Sequence, residues 1–201
     1  MRHRIFIAIN LPKDIKEGLS RCQKKIEKLF TPHRNRISGA GPCRWVKKEN
    51  LHLTLAFLGY LNDEQLEQVY EIVKETTAKN KPFLIFLNKV GYGPRKKLPP
   101  RLIWIQGEKS EELLKLKKDL EELLTQKINF SPEERNFLPH ITLARIKKWN
   151  WRQIEPEERP VVDLEVSFQL PVNSIEVMES HLKKTGAEYE ILKSYKLKHS
   201  L

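Results

Sequence analysis

Apolar residues recur at helical spacing in three segments of the chain. In residues 12–30 they fall alternately four and three positions apart, on one face of a helix (Ile15, Leu19, Cys22, Ile26 and Leu29). Two later segments, which follow Asn62 and Ser110, show a similar periodicity (Leu66, Val69, Tyr70 and Val73; Leu113, Leu116, Leu120 and Leu123). Asn62 with Gln65 predicts a capping box, and Ser110 is a predicted N-cap. Three amphipathic helices are therefore predicted.

Runs rich in β-branched and aromatic residues predict strands around these helices. The predicted strands cover residues 4–10, 44–46, 51–58, 83–90, 102–106, 139–145, 161–168, 174–178 and 187–197. Gly59 is predicted to end the third of them. The order of elements is neither a regular strand and helix alternation nor all-helical, so it favours an α+β fold with antiparallel-rich sheets.

Composition and charge narrow the classes of partner. The 201 residues are 39% hydrophobic, no apolar run approaches the length of a membrane span, and the N-terminal apolar segment is too short for a signal peptide. The two cysteines lack metal-binding or disulfide-type spacing, so we expect a cytoplasmic protein without a membrane segment. Thirty-seven Lys and Arg against 26 Asp and Glu give a net charge of +11, which favours polyanionic partners.

Two predicted strands carry the same motif. The stretches LHLTLAFLG (51–59) and PHITLAR (139–145) both contain His, an aliphatic residue, Thr, Leu and Ala in succession. The repetition predicts two related halves, each of which supplies one strand to a shared groove. Strict alternation along a strand puts imidazole, hydroxyl and alanine on one face of each copy (His52, Thr54 and Ala56; His140, Thr142 and Ala144). Arg145 is then expected on the opposite face.

Two imidazoles across a groove suit a reaction in which a base removes one proton while an acid supplies another, because histidine titrates near neutrality. Threonine hydroxyls can donate hydrogen bonds to phosphate oxygens. The combination fits attack on a phosphodiester without a metal. One histidine in a strand is more often structural than catalytic. A structural role does not explain two histidines with the same neighbours, spacing and strand face. Neither motif has a third ligand at zinc spacing nearby, and the chain lacks GxSxG and P-loop motifs.

With their surroundings, the two HxT motifs resemble those of the two-histidine (2H) phosphoesterases, and more narrowly the RNA 2′,3′-cyclic phosphodiesterase family, also called LigT-like or 2′-5′ RNA ligase. The matching stretches are RIFIAINLP (4–12), RWVKKENLHLTLAFLG (44–59), PPRLIWI (99–105), FLPHITLAR (137–145) and SHLKKTGAEYEIL (180–192). They occur in this order over nearly the whole chain. The resemblance implies a bilobal, pseudo-symmetric α+β fold in which residues 1–201 form one domain and helices lie outside a central groove.

The resemblance also implies roles for individual residues. His52 and His140 would form the catalytic pair, Thr54 and Thr142 would hold the phosphate, and Arg145 would add positive charge. The implied reaction opens a terminal RNA 2′,3′-cyclic phosphate to a 2′-phosphomonoester without metal or cofactor. The resemblance also implies reversible 2′-5′ ligation of tRNA halves. We expect a monomer.

Several alternatives stay open from the sequence. A non-catalytic, basic RNA-binding module on the same fold is the main alternative to an enzyme. Phe6 could stack on a nucleobase or belong to the core. Trp149 and Trp151 lie in a polar stretch and either contact RNA or form a local cluster, whereas Trp45 and Trp104 are expected to be mostly core.

Overall fold

The computed structural model describes residues 2–34, 41–94, 98–132, 137–183 and 186–198. The strands are β1 (His3–Asn10), β2 (Cys43–Trp45), β3 (His52–Leu61), β4 (Phe83–Gly93), β5 (Leu102–Gly107), β6 (His140–Ile146), β7 (Asp163–Val172), β8 (Ser174–Lys183) and β9 (Gly186–Lys196). The helices are α1 (Lys13–Leu29), α2 (Thr31–Arg34), α3 (Asp63–Ala78), α4 (Glu111–Ile128) and α5 (Lys148–Arg152). Each predicted helix and strand corresponds to one of these elements.

Within the described residues, nine strands form one sheet in which all pairs are antiparallel. The order is β7-β4-β5-β6-β3-β1-β8-β9, and β2 also pairs with β6. The first lobe runs outward from the centre as β3-β1-β8-β9, and the second lobe as β6-β5-β4-β7. The predicted α+β, pseudo-symmetric and antiparallel-rich fold is confirmed.

The two lobes match in register as well as in order. In the first lobe, His52 lies opposite Asn10 of β1. In the second lobe, His140 lies opposite Gln106 of β5. Each pair of strands is joined through one long helix, α1 in the first lobe and α4 in the second. The repeated strand, helix, strand unit is therefore the structural counterpart of the repeated HxT motif.

The caps of two helices are as predicted. The Asn62 side chain accepts from the backbone N–H of Gln65, whose side chain in turn accepts from the backbone N–H of Asn62. Ser110 accepts from the N–H of Leu113 at the start of α4. These side chains satisfy N–H groups that have no partner within the helix, which contributes about 1 kcal/mol at each helix end.

The predicted apolar face of α1 is wrong in part. Leu29 is exposed and Cys22 is half-buried, while the polar Gln23 is buried. In α4, the predicted Leu123 is partly buried against the core, and Leu124, which was not predicted, is fully buried. Gln23 can occupy the core side because its amide makes hydrogen bonds there. Hydrophobic periodicity does not predict such a residue, because the hydrogen-bond partners come from other parts of the fold.

The core lies between the sheet and the long helices, and it contains many fully buried aliphatic residues, including Ile7, Leu53, Ile105 and Ile141. Each such side chain contributes about 1.5–3 kcal/mol relative to exposure. The opposite face of the central strands carries the imidazoles and hydroxyls. In the described residues, no helix is long and apolar enough to cross a membrane.

Candidate active site

The two motif strands are neighbours at the centre of the sheet. A register pair joins Leu53 of β3 to Ile141 of β6, and both of these side chains are in the core. In this antiparallel register the next positions direct His52 towards Thr142 and Thr54 towards His140. The fold therefore brings together the four residues that sequence reasoning placed on two separate strands.

Both imidazoles are held by the same backbone contact. His52 Nδ1 lies 2.6 Å from the carbonyl oxygen of Asn50, and His140 Nδ1 lies 2.9 Å from that of Leu138. Because a carbonyl oxygen can only accept, each Nδ1 must carry the proton and donate it. In the neutral form Nε2 of each ring is then the basic nitrogen, so both rings present the same atom for proton exchange.

A β-bulge follows each threonine. Leu55 has no register partner in β1, because Ala8 pairs with Thr54 and Ile7 with Ala56. A bulge moves every following side chain to the other face of the strand. Ala56 is accordingly buried in the core, so its predicted position beside the histidine is wrong.

The second motif has the matching bulge. Leu143 is unpaired on β5, because Trp104 pairs with Thr142 and Ile103 with Ala144. Ala144 is therefore in the core, contrary to the prediction, and Arg145 points to the face of His140. Strict alternation wrongly placed Arg145 on the opposite face, since pairing between distant strands introduces the extra residue.

The strand β3 does not end at Gly59, as was predicted, but continues to Leu61. A second bulge lies at Leu58, between the pairs Phe6 with Phe57 and Ile5 with Gly59. Gly59 has φ = 75°, a conformation that glycine adopts without steric cost. The glycine therefore allows an irregularity within the strand.

Aromatic rings surround His52. The centroid of the Phe6 ring lies 5.0 Å from that of the imidazole, and the centroid of the Tyr189 ring lies 5.1 Å from it. Phe6 is only 1% exposed, whereas Phe57, 5.8 Å from Phe6, is 58% exposed. Phe57, which sequence reasoning missed, is thus the open aromatic surface, and Phe6 supports it from beneath.

His140 has a different aromatic neighbour. Trp104 is buried, as predicted, and its ring lies 4.5 Å from the imidazole. Its indole N–H is a buried donor without a hydrogen-bond partner among the described residues. The two histidines therefore have equivalent backbone bonds but unlike side-chain surroundings.

A groove of about 630 Å³ lies on this face and is lined by Arg4, Phe6, Arg44, Phe57 and Arg145, together with residues of the β8–β9 hairpin. Arg44 of β2 lies directly opposite Arg145 of β6 in the ladder. Like charges at opposite positions repel each other. No carboxylate of the described residues forms an ion pair with Arg4, Arg44 or Arg145, so the groove carries uncompensated positive charge suited to an anion.

Sequence reasoning missed Arg44, and only its position directly before a strand-forming tryptophan could have drawn attention to it.

Two other predictions, on tryptophans, can be compared with the structure. Trp149 is exposed, as a surface role requires. Trp151 is 4% exposed and packs against Phe30 and Tyr92, so it belongs to a local aromatic cluster, the alternative left open by the sequence, and is not a surface residue.

Burial lowers the pKa of His52 to about 4, because desolvation penalises the imidazolium. The positive charges of Lys16, Arg145 and His140 act in the same direction, while the hydrogen bond to the Asn50 carbonyl opposes them. His52 is therefore neutral near pH 7 in the free protein. A bound anion would reduce this shift, since it would favour the charged ring.

Known proteins with similar sequences extend over almost the whole chain. An RNA 2′,3′-cyclic phosphodiesterase of Thermotoga maritima is 33% identical over 193 residues, which cover 94% of this chain and 92% of that protein. One of Aquifex aeolicus is 29% identical over 195 residues, or 96% of this chain and 97% of that protein.

Solved structures with a similar fold include that of a LigT protein. A Thermus thermophilus protein of known crystal structure superposes with a TM-score of 0.77 at 26% identity, over 96% of this chain and 97% of its own. Escherichia coli LigT without ligand superposes with a TM-score of 0.72 at 25% identity, over 98% and 99%. The family model for LigT-like phosphoesterases matches twice in succession, at residues 9–104 and 105–189. This chain belongs to the LigT-like phosphoesterase family.

Proposed function

We propose that this enzyme is an RNA 2′,3′-cyclic phosphodiesterase that hydrolyses a terminal cyclic phosphate to a 2′-phosphomonoester. The observation that carries the proposal is the pair of equivalent Nδ1–H to carbonyl bonds, which makes Nε2 of both His52 and His140 the nitrogen for proton exchange. The similar sequences named above support the substrate class. We also propose that residues 1–201 work as one domain, which agrees with the continuous sheet.

The proposed step breaks one bond and forms another. A neutral histidine accepts a proton through Nε2 from a water molecule, whose oxygen attacks phosphorus. The bond between phosphorus and the ribose 3′ oxygen breaks, and the other, protonated histidine donates its proton to that oxygen. Thr54 and Thr142 donate hydrogen bonds to the non-bridging oxygens, and Arg145 neutralises charge that develops on them. In ligation the 5′-hydroxyl of a second RNA takes the place of water, the same bond to the ribose 3′ oxygen breaks, and the two histidines keep their roles.

The groove suits RNA on both chemical counts. Arg4 and Arg44 lie where further phosphodiesters of a strand could be bound, which would relieve the repulsion between Arg44 and Arg145. The exposed ring of Phe57, backed by Phe6, offers a surface on which the terminal base can stack. Base stacking proposed for Phe6 is then indirect, since its own ring is covered.

The experiment uses a short RNA that ends in a 2′,3′-cyclic phosphate, incubated with the protein in EDTA and separated by chromatography. We expect a 2′-phosphate product, with the rate lowered about 10²- to 10⁴-fold in His52→Ala or His140→Ala. His181→Ala is the matched control, because this exposed histidine of β8 contacts Glu190 and lies outside both motifs.

The outcomes separate the alternatives. Unchanged RNA in every tube, together with retained RNA binding, would favour the non-catalytic binding module. Activity that EDTA abolishes would contradict metal-independent catalysis. An added RNA with a 5′-hydroxyl end tests ligation, since a 2′-5′ joined product forms when that hydroxyl replaces water in the attack on phosphorus.

A further inference from the structure

The two motif strands are weakly tied to each other by the sheet itself. The ladder between β3 and β6 contains a single register pair in the described residues, Leu53 with Ile141. Neighbouring central strands usually share several pairs, which together define their spacing. The distance between the two catalytic strands must therefore depend on other contacts.

One such contact comes from α1, which belongs to the first lobe but reaches the second. The buried Gln23 donates through Nε2 to the carbonyl of Leu143 at 2.9 Å and to that of Val46 at 2.8 Å. Leu143 is the bulged residue of the second motif. Val46 lies in the segment that leads into His52. A single amide thus connects the approach to one histidine with the bulge beyond the other.

The corresponding contact comes from α4, which belongs to the second lobe and reaches the first. Lys117 donates through Nζ to the carbonyl of Leu55 at 3.0 Å, and Leu55 is the bulged residue of the first motif. The same ammonium lies 4.8 Å from the ring centroid of Phe137, in the segment that leads into His140. It also pairs with Glu121 in its own helix.

Both contacts place a side-chain donor on the carbonyl of a bulged residue. The Leu143 carbonyl also accepts from the backbone N–H of Val46 at 2.9 Å, so Gln23 adds a second donor there and satisfies the carbonyl of Val46 as well. A buried carbonyl without a donor costs about 1–3 kcal/mol, so these side chains stabilise the backbone geometry around the two bulges. The bulged register is what turns Arg145 and Phe57 towards the groove. Loss of the donor would favour registers in which these side chains face the core.

We propose that Gln23 and Lys117 are positioning residues which, from opposite lobes, lock the two bulges and the spacing of the two histidine strands. Gln23 acts through Arg145 and His140, and Lys117 acts through Phe57 and His52. The expected effect on kinetics rests on the proposed function. The expected effect on the geometry of the bulges does not depend on any substrate.

The test compares Gln23→Met and Lys117→Met, which keep side-chain length but remove the donor, with Lys117→Arg, which keeps one. We expect kcat/KM on RNA with a cyclic phosphate end to fall about 10- to 100-fold in both methionine variants, as misplaced catalytic groups typically cause. Lys117→Arg should retain most activity. Ile26→Val, a buried change in α1, controls for lost stability and should leave kcat/KM unchanged.

Double-mutant cycles decide whether Gln23 and Lys117 act through the proposed partners. Gln23→Met should cause little further loss in an Arg145→Ala background, and Lys117→Met little in a Phe57→Ala background. A loss of kcat/KM that is as large in the alanine background as in wild type would overturn the proposal. A loss no greater than that of Ile26→Val would overturn it as well. Backbone amide NMR shifts at residues 54–57 and 142–145 provide a readout without substrate. If the wild-type protein is inactive, the proposed function is wrong. If the amide NMR shifts of the variants equal those of wild type, the positioning role is wrong, whatever the activity.

Discussion

His52 illustrates how the fold changes the chemistry of a single residue. Its imidazole is surrounded by the rings of Phe6 and Tyr189, and the cationic Lys16 and Arg145 lie close enough to disfavour a second proton. Burial is the main reason why its pKa falls to about 4. The folded protein therefore holds the neutral ring across a pH range in which an unfolded chain would protonate it.

This difference predicts a specific loss of stability in mild acid. Below pH 6.5 the unfolded chain binds a proton at His52 that the folded chain does not bind until about pH 4, so stability falls with pH over this window. Between pH 7 and pH 5 we expect wild type to lose about 2 kcal/mol more unfolding free energy than His52→Gln. Urea denaturation at both pH values measures the difference. Equal losses would show that His52 titrates normally.

At the scale of elements, the irregular positions of the sheet are those that form the site. The bulges at Leu55 and Leu143 turn Phe57 and Arg145 towards the groove. Strand β4 contributes indirectly through Gly93, which leaves space for Trp104. A Cβ at this glycine would lie 2.3 Å from the indole ring, and that ring packs against His140.

Gly93→Ala should therefore disturb the site through Trp104. The added methyl must displace a buried ring, which destabilises the fold by about 1–3 kcal/mol. The displaced ring should also lower kcat about tenfold, since small misplacements near a catalytic group have such effects. Gly91→Ala is the matched control two residues earlier in β4, because its Cβ would meet only the Val162 carbonyl at 3.6 Å. Thermal unfolding and kcat measure both effects, and identical behaviour of the two variants would refute this account.

At the scale of the whole molecule, a symmetric backbone supports an asymmetric site. Phe57 and Arg145 occupy equivalent positions after the two bulges, and Ala8 and Trp104 occupy equivalent positions opposite the two threonines. One side of the groove is therefore aromatic beside its histidine, while the other presents a guanidinium. Together with the net charge of +11, this distribution would favour one orientation of the RNA end that we propose as substrate over the reverse.

The charge of the groove predicts salt-dependent activity. Single-stranded nucleic acids lose affinity with a log–log slope of about −0.7 per phosphate neutralised. We expect kcat/KM for an RNA oligonucleotide to fall more steeply with salt than that for a cyclic mononucleotide. Arg44→Ala, which removes one phosphate contact, should reduce the slope by about 0.7. Lys118→Ala, on the exposed side of α4, is the control and should leave the slope unchanged. A slope that is equal for both substrates would contradict an extended RNA contact.

The sequence by itself determined the α+β class, the long helices with two of their caps, and the four residues of the HxT pairs. Each of these depends on local periodicity, local hydrogen bonds or a motif that recurs within a few positions. The sequence also indicated a polyanionic partner through its excess of Lys and Arg.

Only the tertiary structure decided which face the residues after each threonine occupy. The bulges arise from pairing with β1 and β5, and they turn Arg145 towards the groove and Ala144 into the core. Gln23 is buried because its amide donates to the carbonyls of Val46 and Leu143. The physical cause is common to all three: strand pairing and the hydrogen bonds of a buried amide involve partners that are remote in sequence.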